Sequence, residues 1–292
     1  MLRKILTITL ILLLLLNSIA FGLVNKKGVW YEGWNLEPYR EGIKGKLIRR
    51  YSDNFILDLG QNLLIARGTY PIDDKLTWEN KMTIENEATE DAIKNIIEGI
   101  ENLPVDDSYS FGEFVKREDL EKWVRQHMWV MHRRIFTMEN KLRVTIATAL
   151  KDKTGVLNLL NAEDLVEKIS LTEIPEDIYV SRNHTGLILI VSGLKFEPAI
   201  CPKIVDEDGN EIFGISRTGA KAGKRMIVQY VSSLAIAKNT WRAGKNPLII
   251  KAIDVNGRNP CKAVVSIKDG FRILKANQNI GFLEDLKVVF VL

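Results

Sequence analysis

The sequence predicts an α+β protein, with antiparallel sheets packed against a few helices, forming two small domains after a signal peptide. Three observations carry that expectation. Segments alternating with period two, such as Leu142, Val144, Ile146, Thr148 and Leu150, stand beside segments with helical spacing. The two kinds are interspersed without the regular strand–helix–strand rhythm of a doubly wound sheet. About 270 residues follow the leader, enough for two domains of ordinary size.

The chain opens "MLRKILTITLILLLLLNSIAFG". Arg3 and Lys4 precede a short apolar core, Ile5 to Leu16, and small residues Ala20 and Gly22 follow at signal-peptidase spacing. The apolar run is shorter than the roughly 20 residues of a membrane-spanning helix. Residues 1–22 therefore read as a signal peptide and the protein as exported, to the periplasm or the cell surface. An uncleaved signal anchor is the alternative; otherwise membrane contact is peripheral.

Residues 23–53 form an N-terminal extension without clear periodicity. Within it Trp30, Tyr31, Trp34 and Tyr39 cluster. Such aromatics contact a partner or stack on a glycan, or equally cover the edge of a core. A first α+β domain is assigned to 54–168. "FILDLGQNLLIARGTYPI" reads as strand, glycine break and strand. From Trp78 to Leu103 the apolar residues fall largely on one helical face, and Pro104 stops the helix. A shorter helix covers 117–128, and two strands flank the "MENK" turn at 138–141. Charged, weakly helical sequence at 152–177 makes the domain boundary.

The second domain, 169–292, begins with a series of strands from "TGLILIVSG". Residues 227–238 look helical. "NPLIIKAIDV" and "KAVVSI" are strand-like, "KDGFRILKAN" is helical, and "LKVVFVL" is a final strand.

Charge excludes little but narrows the partners. Removing Arg3 and Lys4 lowers the formal net charge from +4 to about +2, with both signs mixed along the chain. Neither nucleic acid nor another polyanion is suggested. Cys201 and Cys261 are the only cysteines. In an oxidising compartment they would close a loop of about 60 residues, contributing about 3–4 kcal/mol; two separately buried thiols are the other reading.

Candidate chemistry is sparse. "KIVDEDGNEIFG" at 203–214 places Asp206, Asp208 and Asn210 in the alternation of a calcium loop. However, Glu211 stands where that loop needs glycine, and no glutamate closes it. Flanked by strand-like runs, "DGN" is a hairpin signal. "SDN", "SRN", "KTG" and "SGLK" echo the motifs of serine acyl-enzymes, but Ser192 follows the others and does not open a helix. "TGAKAGKR" has the wrong spacing for a phosphate loop. His127, His132 and His184 have no zinc-ligand spacing. No catalytic, cofactor-binding or metal residues are assigned, and the chain is expected not to be an enzyme.

One resemblance adds to this reading. Ala66 and Gly68, then Ala88, Asp91, Ala92 and Asn95, then Leu103, Val105 and Asp106, and finally Phe114 and Val115 lead into the strand hairpin. In this order they resemble the membrane-associated lipoprotein-20 family. The later stretch from "TGLILIVSG" to "FLEDLKVVFVL" looks like the C-terminal half of larger exported members. The resemblance implies an α+β envelope protein without catalytic residues, whose relatives include outer-membrane lipoproteins and components of rings or disks around the flagellar motor. This chain lacks the lipobox cysteine of those lipoproteins. The expected function is self-association or docking on an envelope structure, with a protein partner and homo-oligomers; small-ligand or glycan binding is the alternative.

Overall fold

In the computed structural model, residues 47–72, 77–161, 174–175, 178–180, 183–218, 226–278 and 280–292 are described. The signal peptide and the cluster of Trp30, Tyr31, Trp34 and Tyr39 lie outside them, as does most of "TGAKAGKR".

The expected α+β class holds: antiparallel and mixed sheets pack with five α-helices among the described residues. The first sheet contains β1 (Ile48–Arg50), β2 (Phe55–Asp58), β3 (Leu63–Pro71), β4 (Trp129–Phe136) and β5 (Lys141–Ala149), in the order β1-β2-β3-β5-β4. All its pairs are antiparallel, as expected. Helix α1 (Trp78–Glu101) lies across one face, and α2 (Arg117–His127) packs beside it. A capping box starts α1: the Asn80 backbone N–H donates to Thr77 Oγ1 at 3.3 Å, and the Thr77 N–H donates to Asn80 Oδ1 at 2.8 Å. The alternation read at 142–150 is the buried face of β5, where Leu142, Val144 and Ile146 meet Ala88, Ala92 and Ile96 of α1.

The residues behind the family resemblance fasten α1 to β3. A Cβ on Gly68 would stand 2.1 Å from the Ala92 nitrogen and 2.2 Å from the Ala88 oxygen, so only glycine allows this approach. β2 pairs with β3 only as far as Ala66. Beyond that point α1 side chains replace the missing ladder: the Thr69 N–H donates to Asp91 Oδ2 at 2.8 Å, and Asn95 Nδ2 donates to the Arg67 carbonyl at 2.9 Å.

The second half departs from antiparallel pairing. Strands β6 (Gly186–Ile190), β9 (Gln229–Val231), β10 (Pro247–Lys251) and β13 (Val288–Val291) form a parallel sheet in the order β10-β6-β13-β9. Strands β7 (Lys203–Asp206), β8 (Glu211–Phe213), β11 (Asp254–Asn256) and β12 (Lys262–Val265) form a mixed sheet, ordered β11-β12-β7-β8. Three helices complete this half: α3 (Ile215–Thr218), α4 (Leu234–Lys238) and α5 (Ile267–Asn277). Helix α4 covers one face of the parallel sheet through Ala237, against Ile188, Val289 and Val291. The other face joins the main core through Leu187, Leu189 and Phe290. Residues 227–238, read as one helix, are instead β9 followed by α4, with Ser233 capping the helix by accepting from the Ile236 N–H.

The "DGN" stretch is the expected hairpin. Asp206 Oδ1 accepts from the Asp208 and Asn210 N–H groups at 3.0 and 2.8 Å, and Gly209 takes a positive φ of 84°.

The two halves share one continuous core. The Ile200 N–H donates to the Pro104 carbonyl at 3.0 Å, and the Cys201 N–H donates to that of Val105 at 2.6 Å. Beside them buried Asp107 meets Lys262 at 2.7 Å and Lys203 at 3.0 Å. Burial opposes ionisation of Asp107, but the hydrogen bonds and charges of the two lysines outweigh it and lower its pKa.

Candidate docking surface

Directly opposed residues in a sheet share a face, so the ladder fixes what the side away from α1 presents. Its registers are Ile65, Ala147 and Trp129; Arg67, Thr145 and His132; Thr69, Arg143 and Arg134; and Pro71, Lys141 and Phe136. The face therefore has two zones. At one end Ile48, Ile56, Ile65 and Ala147 form a small buried cluster with Leu63 and Met131. At the other, Arg67, Arg134, Arg143 and Lys141 gather on three adjacent strands.

The cations of the second zone act on one another. Burial, followed by repulsion from Arg143 and Arg50, lowers the Arg67 pKa to about 10, against the attraction of Asp53 and Glu139. Burial also lowers that of Arg143, with Glu139 attracting and Arg134 repelling. The Phe136 ring takes up part of this charge: the Arg143 and Arg134 guanidinium carbons stand 4.1 and 5.3 Å from its centroid. Arg67 Nε donates to Asn54 Oδ1 at 3.3 Å, Arg50 pairs with Asp53, and Lys141 pairs with Glu139. Among the described residues, two carboxylates stand against five cations on this face.

This zone runs to the outer edge of the sheet. β4 is the terminal strand, so one row of its N–H and C=O groups has no neighbouring strand among the described residues. Large apolar side chains are exposed along and just beyond it: Trp129, Ile135 and Met138, the last fully. A register shift between Val130 and His132 increases the local twist.

The residues singled out from sequence are not brought together at this surface. His132 lies on it, His127 stacks on Trp123 at 4.7 Å, and His184 Nδ1 faces the Asn246 carbonyl at 3.3 Å. Cys201 and Cys261 are buried free thiols near the junction of the two halves, and burial pushes both pKa values up. Among the described residues no group of three His, Cys, Asp or Glu side chains could hold a metal ion, and no helix is long and apolar enough to cross a membrane. Sequence reading missed the basic face. Arg67, Arg134 and Arg143 are far apart in the chain, and only strand order assembles them. The available signal was "MHRRIF", whose consecutive arginines interrupt a strand pattern as edge-strand charges do.

Comparison with known proteins bears on the second half alone. No curated protein matches the chain. Residues 186–292, from β6 through β13, match the family model described as Treponema pallidum Tp0624, second domain.

Proposed function

We propose that this chain is a non-catalytic exported protein that docks on a structure of the cell envelope. Its docking surface is edge strand β4 with the adjoining basic sheet face. The observation that carries this reading is the coincidence on one strand of a backbone edge with no neighbouring strand among the described residues, exposed Trp129 and Ile135, and Arg134 beside Arg143. Backbone edges add a partner strand, apolar side chains supply the contact area, and the charge selects an acidic partner.

Self-association through β4 is the less favoured form of docking. A centred antiparallel pairing of two copies would set each Arg133 opposite the other copy's His132 and bring the Arg133 side chains of both copies together across the seam, a crowding of like charge that disfavours the pairing. The lipoprotein-20 resemblance of the first half supports the envelope address and is compatible with a flagellar one. The glycan alternative rested on Trp30 and Trp34, which lie outside the described residues.

The test is co-sedimentation of the purified protein with cell envelopes of the source organism. Binding should fall at least tenfold between 50 and 500 mM salt, and again in Arg134→Glu/Arg143→Glu. Binding insensitive to both changes would refute the assignment.

A further inference from the structure

A cleft of about 450 Å³ lies between the two halves of the molecule, within the size range of small-ligand sites. Asn62, Lys151 and Asp152 stand in one wall, and Gln229, Ile236 and Trp241 in the other. None of them belongs to β4 or to the basic face, so the cleft is separate from the docking surface.

The first wall is built from two turns fastened through their backbones. The Leu150 N–H donates to the Asn62 carbonyl at 2.8 Å, and Asn158 Nδ2 donates to the Asp152 carbonyl at 2.8 Å. The side chains are left over: among the described residues, the Asn62 amide, the Asp152 carboxylate and the Lys151 ammonium have no hydrogen-bond or ion-pair partner. In the facing wall Gln229 lies opposite Val289, on the sheet face that α4 covers, and its amide is likewise unpartnered among the described residues. Just past α4, Trp241 is 72% exposed, with Ile236 exposed beside it in the same wall. Arg242 is already engaged. It is buried, its Nη2 donates to the Met226 carbonyl at 3.0 Å, and its guanidinium carbon stands 5.8 Å from the Trp241 ring centroid, where it steadies the indole.

Unspent donors and acceptors around an exposed indole match one class of ligand. Each sugar hydroxyl both donates and accepts, so amides, a carboxylate and an ammonium can all serve neighbouring hydroxyls. The C–H face of a sugar ring is apolar and lies against an indole, a surface that is itself part apolar and part polar. Lys151 and Asp152 cancel in formal charge, so these groups favour a neutral sugar over an acidic one. We propose that this cleft binds a neutral saccharide, one ring stacked on Trp241 and its hydroxyls shared among Asn62, Lys151, Asp152 and Gln229. The two walls belong to different halves of the chain, so a bound sugar would also tie those halves together.

The test applies the purified protein to an array of printed neutral and acidic saccharides, then titrates the best-bound saccharide calorimetrically in free form. The expected result is saturable 1:1 binding of a neutral saccharide. Trp241→Ala should weaken it at least tenfold, and Trp241→Phe should recover part of the loss. Asn62→Gly combined with Gln229→Ala should also weaken it at least tenfold; glycine keeps the left-handed backbone of Asn62, whose φ is 58°. None of these side chains is buried, so the variants should keep the parent melting temperature. Arg134→Glu/Arg143→Glu, which disables the docking surface, should bind the saccharide as the parent does, so the two sites fail or stand separately. No saccharide bound, binding confined to acidic saccharides, or binding indifferent to Trp241→Ala or to the Asn62 and Gln229 pair would overturn the proposal.

Discussion

Replacing Asp107 by Asn should destabilise the protein by about 2–3 kcal/mol. Asp107 is 5% exposed and neutralises two lysines at once: Lys203, with 12% of its side chain exposed, and Lys262, with 28%. Removing one partner of a buried ion pair costs about 3–5 kcal/mol, because the remaining charge stays buried. Two features lower that figure here. Lys262 can turn toward water, and the Asp106 carboxylate remains 3.8 Å from Lys203. Equilibrium urea unfolding would measure the loss. If unfolding is cooperative, a companion melting curve should shift by about 5–10 °C. Replacing Asp107 and Lys203 together by Leu and Met should recover part of the stability, since apolar residues of similar volume often substitute for a buried pair. A loss below about 1 kcal/mol for Asp107→Asn would refute the view that this contact joins the two halves.

Three further outcomes follow from the same geometry. The Asp107 pKa is held below its unfolded value of about 3.9, so its contribution is fully present above that pH and is lost as pH falls through the folded pKa. Asp107→Asn should therefore unfold with a weaker pH dependence below about pH 4 than the parent, read from urea midpoints. Gly68→Ala should cost about 2–3 kcal/mol by the same assay, because the backbone of α1 must move to admit the new Cβ. Buried Cys201 and Cys261 should resist alkylation in the native protein and react promptly in denaturant, and reducing agent should leave the melting temperature unchanged; a fall of several degrees on reduction would show that they pair.

What the sequence made legible was local. The α1 stripe, the alternation of β5 and the "DGN" turn each express a period or a backbone preference carried by adjacent residues, and each stands where expected. The parallel sheet was less visible. "GLILI" and "VVFV" are continuous apolar runs rather than alternating ones, the pattern of strands buried on both faces. That pattern was present, but which strand adjoins which is decided by packing far along the chain. Residues 227–238 misled for a related reason: "RMIVQYVSSLAIAK" is apolar enough for one helix, yet Ser232 and Ser233 divide a buried strand from a short capped turn of helix. The basic face was illegible in the same sense, since it gathers residues from distant segments. Conversely, Gly68, Asp91 and Asn95 could be picked out as a pattern without their purpose being visible; the structure shows them satisfying β3 where β2 ends.

The central claim, that β4 and the basic face form the contact with an envelope partner, is tested most directly by photocrosslinking in cells. A benzophenone side chain introduced at Trp129, exposed on β4 and opposite Ala147 on the face away from α1, is compared with one at Met82, exposed on α1. The account predicts a discrete crosslinked product from position 129 that is absent from position 82 and lost when Arg134 and Arg143 are reversed to Glu. Crosslinking from both positions alike, or from position 82 alone, would contradict it.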